Sequence, residues 1–485
     1  MKYIIQNYLK AERYLESLLN LSIVKKVPCG KKPDHIGDKT YEEYFRDEGV
    51  SKEEIRDGMG LKRMKSLMEK LNHPYKNLKV LHIAGTSGKG SVSIIAHEIL
   101  KNMDLTVSLY TSPHLTLAME RIKLNNHLIG PEDFIRHLKT VKQATDDMYE
   151  HDIYGPPSYH ETIFSTALLY FTEKKPDLSV IETGLGWEND YTKILPSSLV
   201  SVITNISFDH MDYLGDTLSS IASHKADIIS PKSICITGCR DASLVEIIEA
   251  KALKKHSQLL AIDRDYNIQI IARNTFNYKS RYNTYKELEL SLPGVHQIEN
   301  AGTAIAAVEQ ILLMNGLDLD EDTVKNSLKE VKIPGRIEVI SKNPYVIIDG
   351  AHNPAKMEVL SKSLKNDFSF DKLIVILGAI EGKDIKVMLE HIVPLADLII
   401  ATLPRVAGRV SVSPRQIVSV IKELGGKAII KLDPFDALDY GLSVTGEKDL
   451  LCITGSLYLA GELRTQWVSK EDIITVSSDQ LTVTI

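Results

Sequence analysis

The chain has 485 residues, with 58 Lys and Arg against 64 Asp and Glu, a formal net charge of -6. It therefore lacks the basic surplus of a general nucleic-acid or membrane-surface binder. Hydrophobic residues make up 43% and charged residues 25%, as in an ordinary globular protein, and the length implies two to four domains.

Residues 1–25 repeat apolar side chains at helical spacing (Leu9, Tyr14, Leu18, Leu19). The amino end lacks a signal-peptide core, and no apolar run approaches the ~18 residues of a membrane span, so a cytoplasmic protein is expected. Residues 26–50 are rich in Lys, Gly and Asp, with Pro28 and Pro33, and read as a surface excursion. An amphipathic helix is predicted over 59–71. Short β-branched runs then alternate with helical patterns, at 78–84, 106–110, 178–182, 199–206 and 233–237. That alternation predicts a parallel sheet covered on both faces. Residues 258–293 alternate polar and apolar instead, which predicts an antiparallel edge or a small hairpin layer. A helix is predicted over 296–313, and Pro334-Gly335 breaks the pattern. Five further runs, at 345–348, 373–377, 398–402, 428–431 and 450–454, predict a second open parallel sheet. The domains are set at 1–331 and 332–485. Cys29, Cys235, Cys239 and Cys452 form no CxxC pair and are expected to be buried free thiols.

The stretch Ala84-Gly-Thr-Ser-Gly-Lys-Gly-Ser follows a predicted strand and opens a predicted helix. A helix amino end offers unpaired N–H groups and a positive dipole end to an anion. Gly85, Gly88 and Gly90 let backbone approach closely. Lys89 can reach outer phosphates, and Thr86, Ser87 and Ser91 add hydroxyls. The spacing departs from GxxxxGK[ST], because Gly90 separates lysine from serine. On spacing alone, a phosphate loop and a plain strand–helix turn both stay open.

This loop resembles the AGTNGKGS loop of the folylpolyglutamate synthase and dihydrofolate synthase family, within the Mur ligase superfamily. Tyr110-Thr-Ser-Pro-His-Leu, Glu120-Arg121, Ile181-Glu-Thr-Gly-Leu-Gly and Ile203-Thr-Asn-Ile-Ser-Phe-Asp-His follow in family order. So do Leu214-Gly-Asp-Thr-Leu, His224-Lys-Ala, Gly294-Val-His-Gln-Ile-Glu-Asn-Ala, Pro334-Gly-Arg, Asp349-Gly-Ala-His-Asn-Pro and Thr454-Gly-Ser-Leu-Tyr. The resemblance implies a P-loop-containing three-layer α/β domain with a parallel sheet, followed by a smaller Rossmann-like α/β domain that binds the amino acid. It implies ATP-dependent ligation of L-glutamate to a pterin or folate carboxylate, through an acyl phosphate, by a monomer. The first glutamate, later ones, or both remain open.

By the same resemblance, residues 85–91 bind ATP, with Lys89 on the β- and γ-phosphates. Ser112, Glu182 and His210 hold magnesium, and a carbamylated Lys225 holds a second ion. Gln297, Asn300, Arg336 and Asp349 reach the nucleotide. His114, Glu120, Arg121 and Asn353 bind substrate, and His352 and Ser456, with Tyr458, meet the glutamate. Ser112, Glu182 and His210 each lie just past a predicted strand, where an open parallel sheet forms one crevice. Read alone, each has a blander role: an ST-turn, a solvated strand end, a cap. Lys225 alone reads as a helix-surface lysine, and Asp349 to Pro354 as an Asx turn with a helix cap. The sequence departs from the family pattern at Ser87 (usually Asn), at Glu188 and Lys193 (usually Arg and Asn) and at His160 (usually Phe). A ligase of the same fold acting on another carboxylate, or a non-catalytic nucleotide binder, are the alternatives.

Overall fold

The computed structural model describes residues 2–24, 59–152, 154–186, 189–209, 211–406 and 409–478. The excursion at 26–50 and Glu188 lie outside the described residues. Eight strands form the first sheet: β1 (Val80–Ala84), β2 (Val107–Tyr110), β3 (Ile122–Leu124), β4 (His127–Leu128), β5 (Leu178–Glu182), β6 (Val200–Ile203), β7 (Ile234–Thr237) and β8 (Gln258–Ala261). Their spatial order is β4-β3-β2-β5-β1-β6-β7-β8. The six from β2 to β8 are parallel, and β3 and β4 extend one edge antiparallel. Central β1, Val-Leu-His-Ile-Ala, is buried at every position, as expected of a strand with both faces covered.

The two faces are separate cores. On one, Val92, Ile95 and Ile99 of the helix Lys89–Lys101 and Ile298 and Ile305 of the helix Val295–Met314 pack on Leu81, Ile83 and Val202. On the other, Leu15, Met64, Met68 and Phe164 from three helices pack on Val80, Tyr110 and Ile181. Cys235 and Cys239 are buried free thiols, as is Cys452. β9 (Tyr266–Ala272), β10 (Thr275–Ser280) and β11 (Thr284–Glu289) form a separate antiparallel sheet. It sends Phe276, Tyr278 and Leu288 into the first core. The alternating region at 258–293 thus divides: its first strand, β8, joins the parallel sheet, and only the rest forms the hairpin layer.

The second sheet holds β12 (Glu338–Lys342), β13 (Tyr345–Ile348), β14 (Leu373–Leu377), β15 (Leu398–Ala401), β16 (Ala428–Ile430) and β17 (Leu450–Thr454). Its order is β12-β13-β17-β14-β15-β16, parallel except for β12. Beyond it, the helix Lys470–Ser478 returns to the first unit, where Ile473 and Ile474 join the core of Tyr8 and Phe134. A bidentate Arg464–Glu338 pair ties the preceding helix to β12, and Glu338 Oε2 accepts the Gly335 N–H at 2.8 Å.

Candidate active site

Strands β1, β2, β5 and β6 end on one rim of the first sheet, and each presents polar groups there. Across from them lie the carboxyl ends of β13, β14 and β17. Between the two sheets is a cleft of about 1350 Å³, lined by the loop Thr86–Ser91, Ser112, Glu182 and Asn205 on one side and by Arg336, Asp349, His352 and Ser456 on the other.

The loop is held from β6. The Thr86 N–H donates to the Asn205 carbonyl at 2.9 Å, the Ser87 N–H to Asn205 Oδ1 at 2.8 Å, and Thr204 Oγ1 to the Ser87 carbonyl at 2.6 Å. The helix Lys89–Lys101 starts from Gly88 at φ 84 with no side-chain cap. Its first N–H groups therefore face the cleft without a side-chain acceptor, which is an anion site by construction. A Cβ on Gly88 would stand 2.3 Å from Asn300 Oδ1. Lys89 Nζ donates back to the Gly85 carbonyl at 3.0 Å. Asn300 Nδ2 donates to Gln297 Oε1 at 3.0 Å, so the two amides share one helix face beside the loop.

Glu182 is buried at the end of β5, and Glu182 Oε2 accepts the Ser112 N–H at 2.9 Å. Burial raises its carboxyl pKa, opposed by Lys89 and by that N–H. His210 lies outside the described residues, and its neighbour Asp209 lines the cleft. Lys225 is buried but does not line the cleft: its ammonium donates to the Leu185 carbonyl. Burial, then the charge of Lys89, lowers its pKa to about 7. Asp190 fixes that wall. Its Oδ2 accepts the N–H groups of Leu185 and Gly186 at 2.8 and 2.7 Å, and its Oδ1 accepts the Thr192 N–H and hydroxyl at 2.9 and 2.6 Å. Thr192 Oγ1 lies 2.9 Å from His82 Nε2. Burial pushes the His82 pKa down to about 4, so a neutral imidazole donates to the hydroxyl and completes the chain from β1 to Leu185.

Farther along the cleft, buried Arg121 donates from Nε to His114 Nδ1 at 2.9 Å and stacks on the Tyr159 ring at 5.3 Å. His160 lies parallel to Tyr191, with ring centroids 6.3 Å apart at 9°. Glu120 does not line the cleft. Its carboxylate accepts the N–H groups of Leu115, Thr116 and Leu117 at 2.9–3.2 Å and shapes the loop that carries His114.

In the opposite wall, Asp349 accepts the Ile337 and Ala351 N–H groups at 2.9 and 2.8 Å, the Asx turn foreseen for it, while still lining the cleft. Asn353 caps the helix Pro354–Asp367 through the Lys356 N–H at 2.9 Å and lies off the cleft. Ser456 caps the helix Leu457–Arg464 through the Tyr458 N–H at 3.1 Å. Several cleft residues went unnoticed in the sequence: Glu12, Asn205, Lys356, Lys383, Arg405 and Arg409. Only Asn205 lies inside a motif. The others reach the cleft from surface-like helices and loops, where no local pattern marks them. Among the described residues, one group close enough to share a metal ion, Asp133, His137 and Glu173, lies away from the cleft and is already paired with Arg136 and Lys174.

The arrangement is similar to known proteins along most of its length. Residues 83–308 match the model of the Mur ligase middle domain, and residues 335–457 that of the Mur ligase glutamate ligase domain. The dihydrofolate synthase/folylpolyglutamate synthase of Bacillus subtilis is 31% identical over 414 residues, covering 84% of this chain and 94% of that protein. The dihydrofolate synthetase of Saccharomyces cerevisiae is 28% identical, covering 84% and 97%. The crystal structure of Mycobacterium tuberculosis folylpolyglutamate synthase, complexed with ADP and AMPPCP, superposes with a TM-score of 0.77 at 28% identity, over 85% of this chain and 96% of that one. E. coli FolC in complex with DHPP and ADP gives 0.74 at 25%, over 83% and 92%.

Proposed function

The chain belongs to the folylpolyglutamate synthase and dihydrofolate synthase family of Mur ligases, and from this and the cleft we infer an ATP-dependent ligase that joins glutamate to a pterin or folate carboxylate. The observation that carries the reading is the single cleft, with the glycine-rich loop on one wall and Arg336, Asp349 and His352 on the other. The uncapped helix terminus and the Lys89 ammonium, both on the cleft, fit a polyphosphate. Glu182, buried beside the Ser112 backbone, fits a divalent cation, since a buried carboxylate calls for positive charge.

ATP supplies the phosphoryl group that activates the acyl carboxylate, and magnesium neutralises phosphate charge as that group moves. The protein's part is positioning and electrostatics. Lys89 from the first wall and Arg336 from the second hold phosphate oxygens, while Gln297, Asn300 and Asp349 meet the nucleoside. Ser112, Glu182 and His210 hold the metal. Lys225, whose pKa near 7 leaves a fraction of neutral amine, is open to carbamylation and so to binding a second ion. Arg121, oriented by His114, holds the acyl substrate, and the loop set by Glu120 supports both. His352 and Ser456 receive the glutamate beside the helix that Asn353 caps. Closure of the two walls around the substrates would keep water from the activated acyl group. Action as a monomer and a cytoplasmic location belong to the same reading.

The test is mass detection of the product from dihydropteroate or tetrahydrofolate with ATP, magnesium and glutamate. A glutamyl adduct formed with matching ADP, and lost in Lys89→Ala, is expected. ADP release with a different acid and none with either pterin would overturn the assignment in favour of another carboxylate.

A further inference from the structure

The second wall carries more positive charge than the assigned roles use. Lys356 sits one helical turn after His352, in the first turn of the helix Pro354–Asp367, and lines the cleft. Its ammonium lies 3.1 Å from His352 Nε2. His352 Nδ1 lies 2.7 Å from the Gly350 carbonyl, so that nitrogen carries the proton and Nε2 accepts from Lys356. Burial pushes the His352 pKa down to about 3, so the ring is neutral. Among the described residues, the hydrogen-bond partner of the Lys356 ammonium is thus an uncharged imidazole, and no carboxylate pairs with it within 4 Å. Arg336, Lys89 and Lys383 also face it, and Asp209 supplies the one opposing charge among its main electrostatic neighbours. Burial, then the charge of Arg336, lowers the Lys356 pKa to about 7, so an anion from the ligand is what would hold this enclosed amine in its charged form.

The triphosphate already has the helix terminus, Lys89 and Arg336. The glutamate brings two carboxylates of its own, and the neutral pair His352 and Ser456 cannot offset either. Its α-carboxylate is two bonds from the attacking nitrogen, so it must come to rest beside the phosphoryl end of the cleft. That is where Lys356 stands, on the wall facing Lys89. We propose that Lys356 is a substrate-binding residue that takes the α-carboxylate of the incoming amino acid, with Lys383 beside it and His352 holding the ammonium in place until the amino acid arrives. The inference rests on the ligase reading above and adds to it the group that recognises the acceptor.

The experiment is steady-state kinetics of the full-length protein, varying glutamate and ATP separately. For Lys356→Met the KM for glutamate rises about 10- to 100-fold, the loss of one charge-assisted hydrogen bond, while the KM for ATP stays within about twofold. Lys356→Arg recovers most of the glutamate affinity. The parent also discriminates glutamate from its α-amide, and Lys356→Met narrows that ratio. A rise in the KM for ATP instead, or an unchanged glutamate KM with an unchanged ratio, overturns the proposal. Retained ATP-dependent thermal stabilisation of Lys356→Met shows that the variant is folded. If the parent itself forms no glutamate adduct, it is the ligase reading that has failed, and this inference falls with it. An adduct in the parent with an unaltered variant removes this inference alone.

Discussion

Replacing Gly88 with alanine tests whether the loop is shaped by close approach or only by backbone conformation. Gly88 lies at φ 84, and a Cβ there meets Asn300 Oδ1 at 2.3 Å and Cγ at 3.1 Å. The left-handed conformation costs alanine about 1–2 kcal/mol. Asn300 must also move, which breaks its 3.0 Å bond to Gln297, worth about 0.5–1.5 kcal/mol. The expected destabilisation is therefore about 1.5–3.5 kcal/mol. Gly316 provides the control. It lies just past the carboxyl end of the helix Val295–Met314, which carries Asn300, at φ 69, with nothing within 4 Å of its Cβ position, so Gly316→Ala carries only the backbone cost. Thermal melts with and without ATP separate the two. Gly88→Ala should melt lower than Gly316→Ala and bind ATP about 10-fold or more weakly, whereas Gly316→Ala should bind it normally. Equal melting losses with unchanged ATP affinity in both variants would refute the reasoning.

Arg63 donates to both oxygens of Glu161 at 2.7 Å, and both side chains are buried. Arg63→Met leaves a buried carboxylate and should cost about 3–5 kcal/mol by denaturant titration, with much of it recovered when Glu161→Gln is added. Glu12 accepts the Ala118 N–H at 2.8 Å, and burial raises its carboxyl pKa to about 7 from 4.5. The fold therefore holds this proton more tightly than the unfolded chain. The stabilisation is complete below about pH 4.5 and is lost as pH rises through 7. Glu12→Gln keeps the acceptor but has no proton to lose. The gain in denaturant midpoint over the parent should be larger at pH 8 than at pH 5, and an equal gain at both would contradict the assignment. Asp190→Ala frees four donors around Leu185 and Thr192, and so releases the carbonyl that receives Lys225. ADP formation should fall about a hundredfold, with ATP binding retained by calorimetry.

Much of this protein was written locally. Runs such as Leu-Ile-Val-Ile-Leu in β14 can be stable only with both faces covered, so the two parallel sheets follow from sequence. The loop at 85–91 declares itself because glycines and a lysine between a strand and a helix have a local chemical meaning. Asp349 and Asn353 were legible as turn and cap for the same reason: their partners are two and three residues away. What needed the tertiary structure were pairings between distant segments. Lys356 follows the Asp349–Pro354 motif by two residues, but its charge environment is made by Arg336, Lys89 and Lys383 from three other segments, which no local pattern shows. Lys225 looks like a surface lysine until the Leu185 carbonyl, set by Asp190, closes over it. The helix Lys470–Ser478 has no local reason to leave the second sheet, and it settles where Tyr8 and Phe134 offer apolar surface. Local patterns fix which elements form, because hydrogen bonds and side-chain periodicity act over a few residues. Burial and charge depend on everything within reach in space, and those decided which of the polar groups meet.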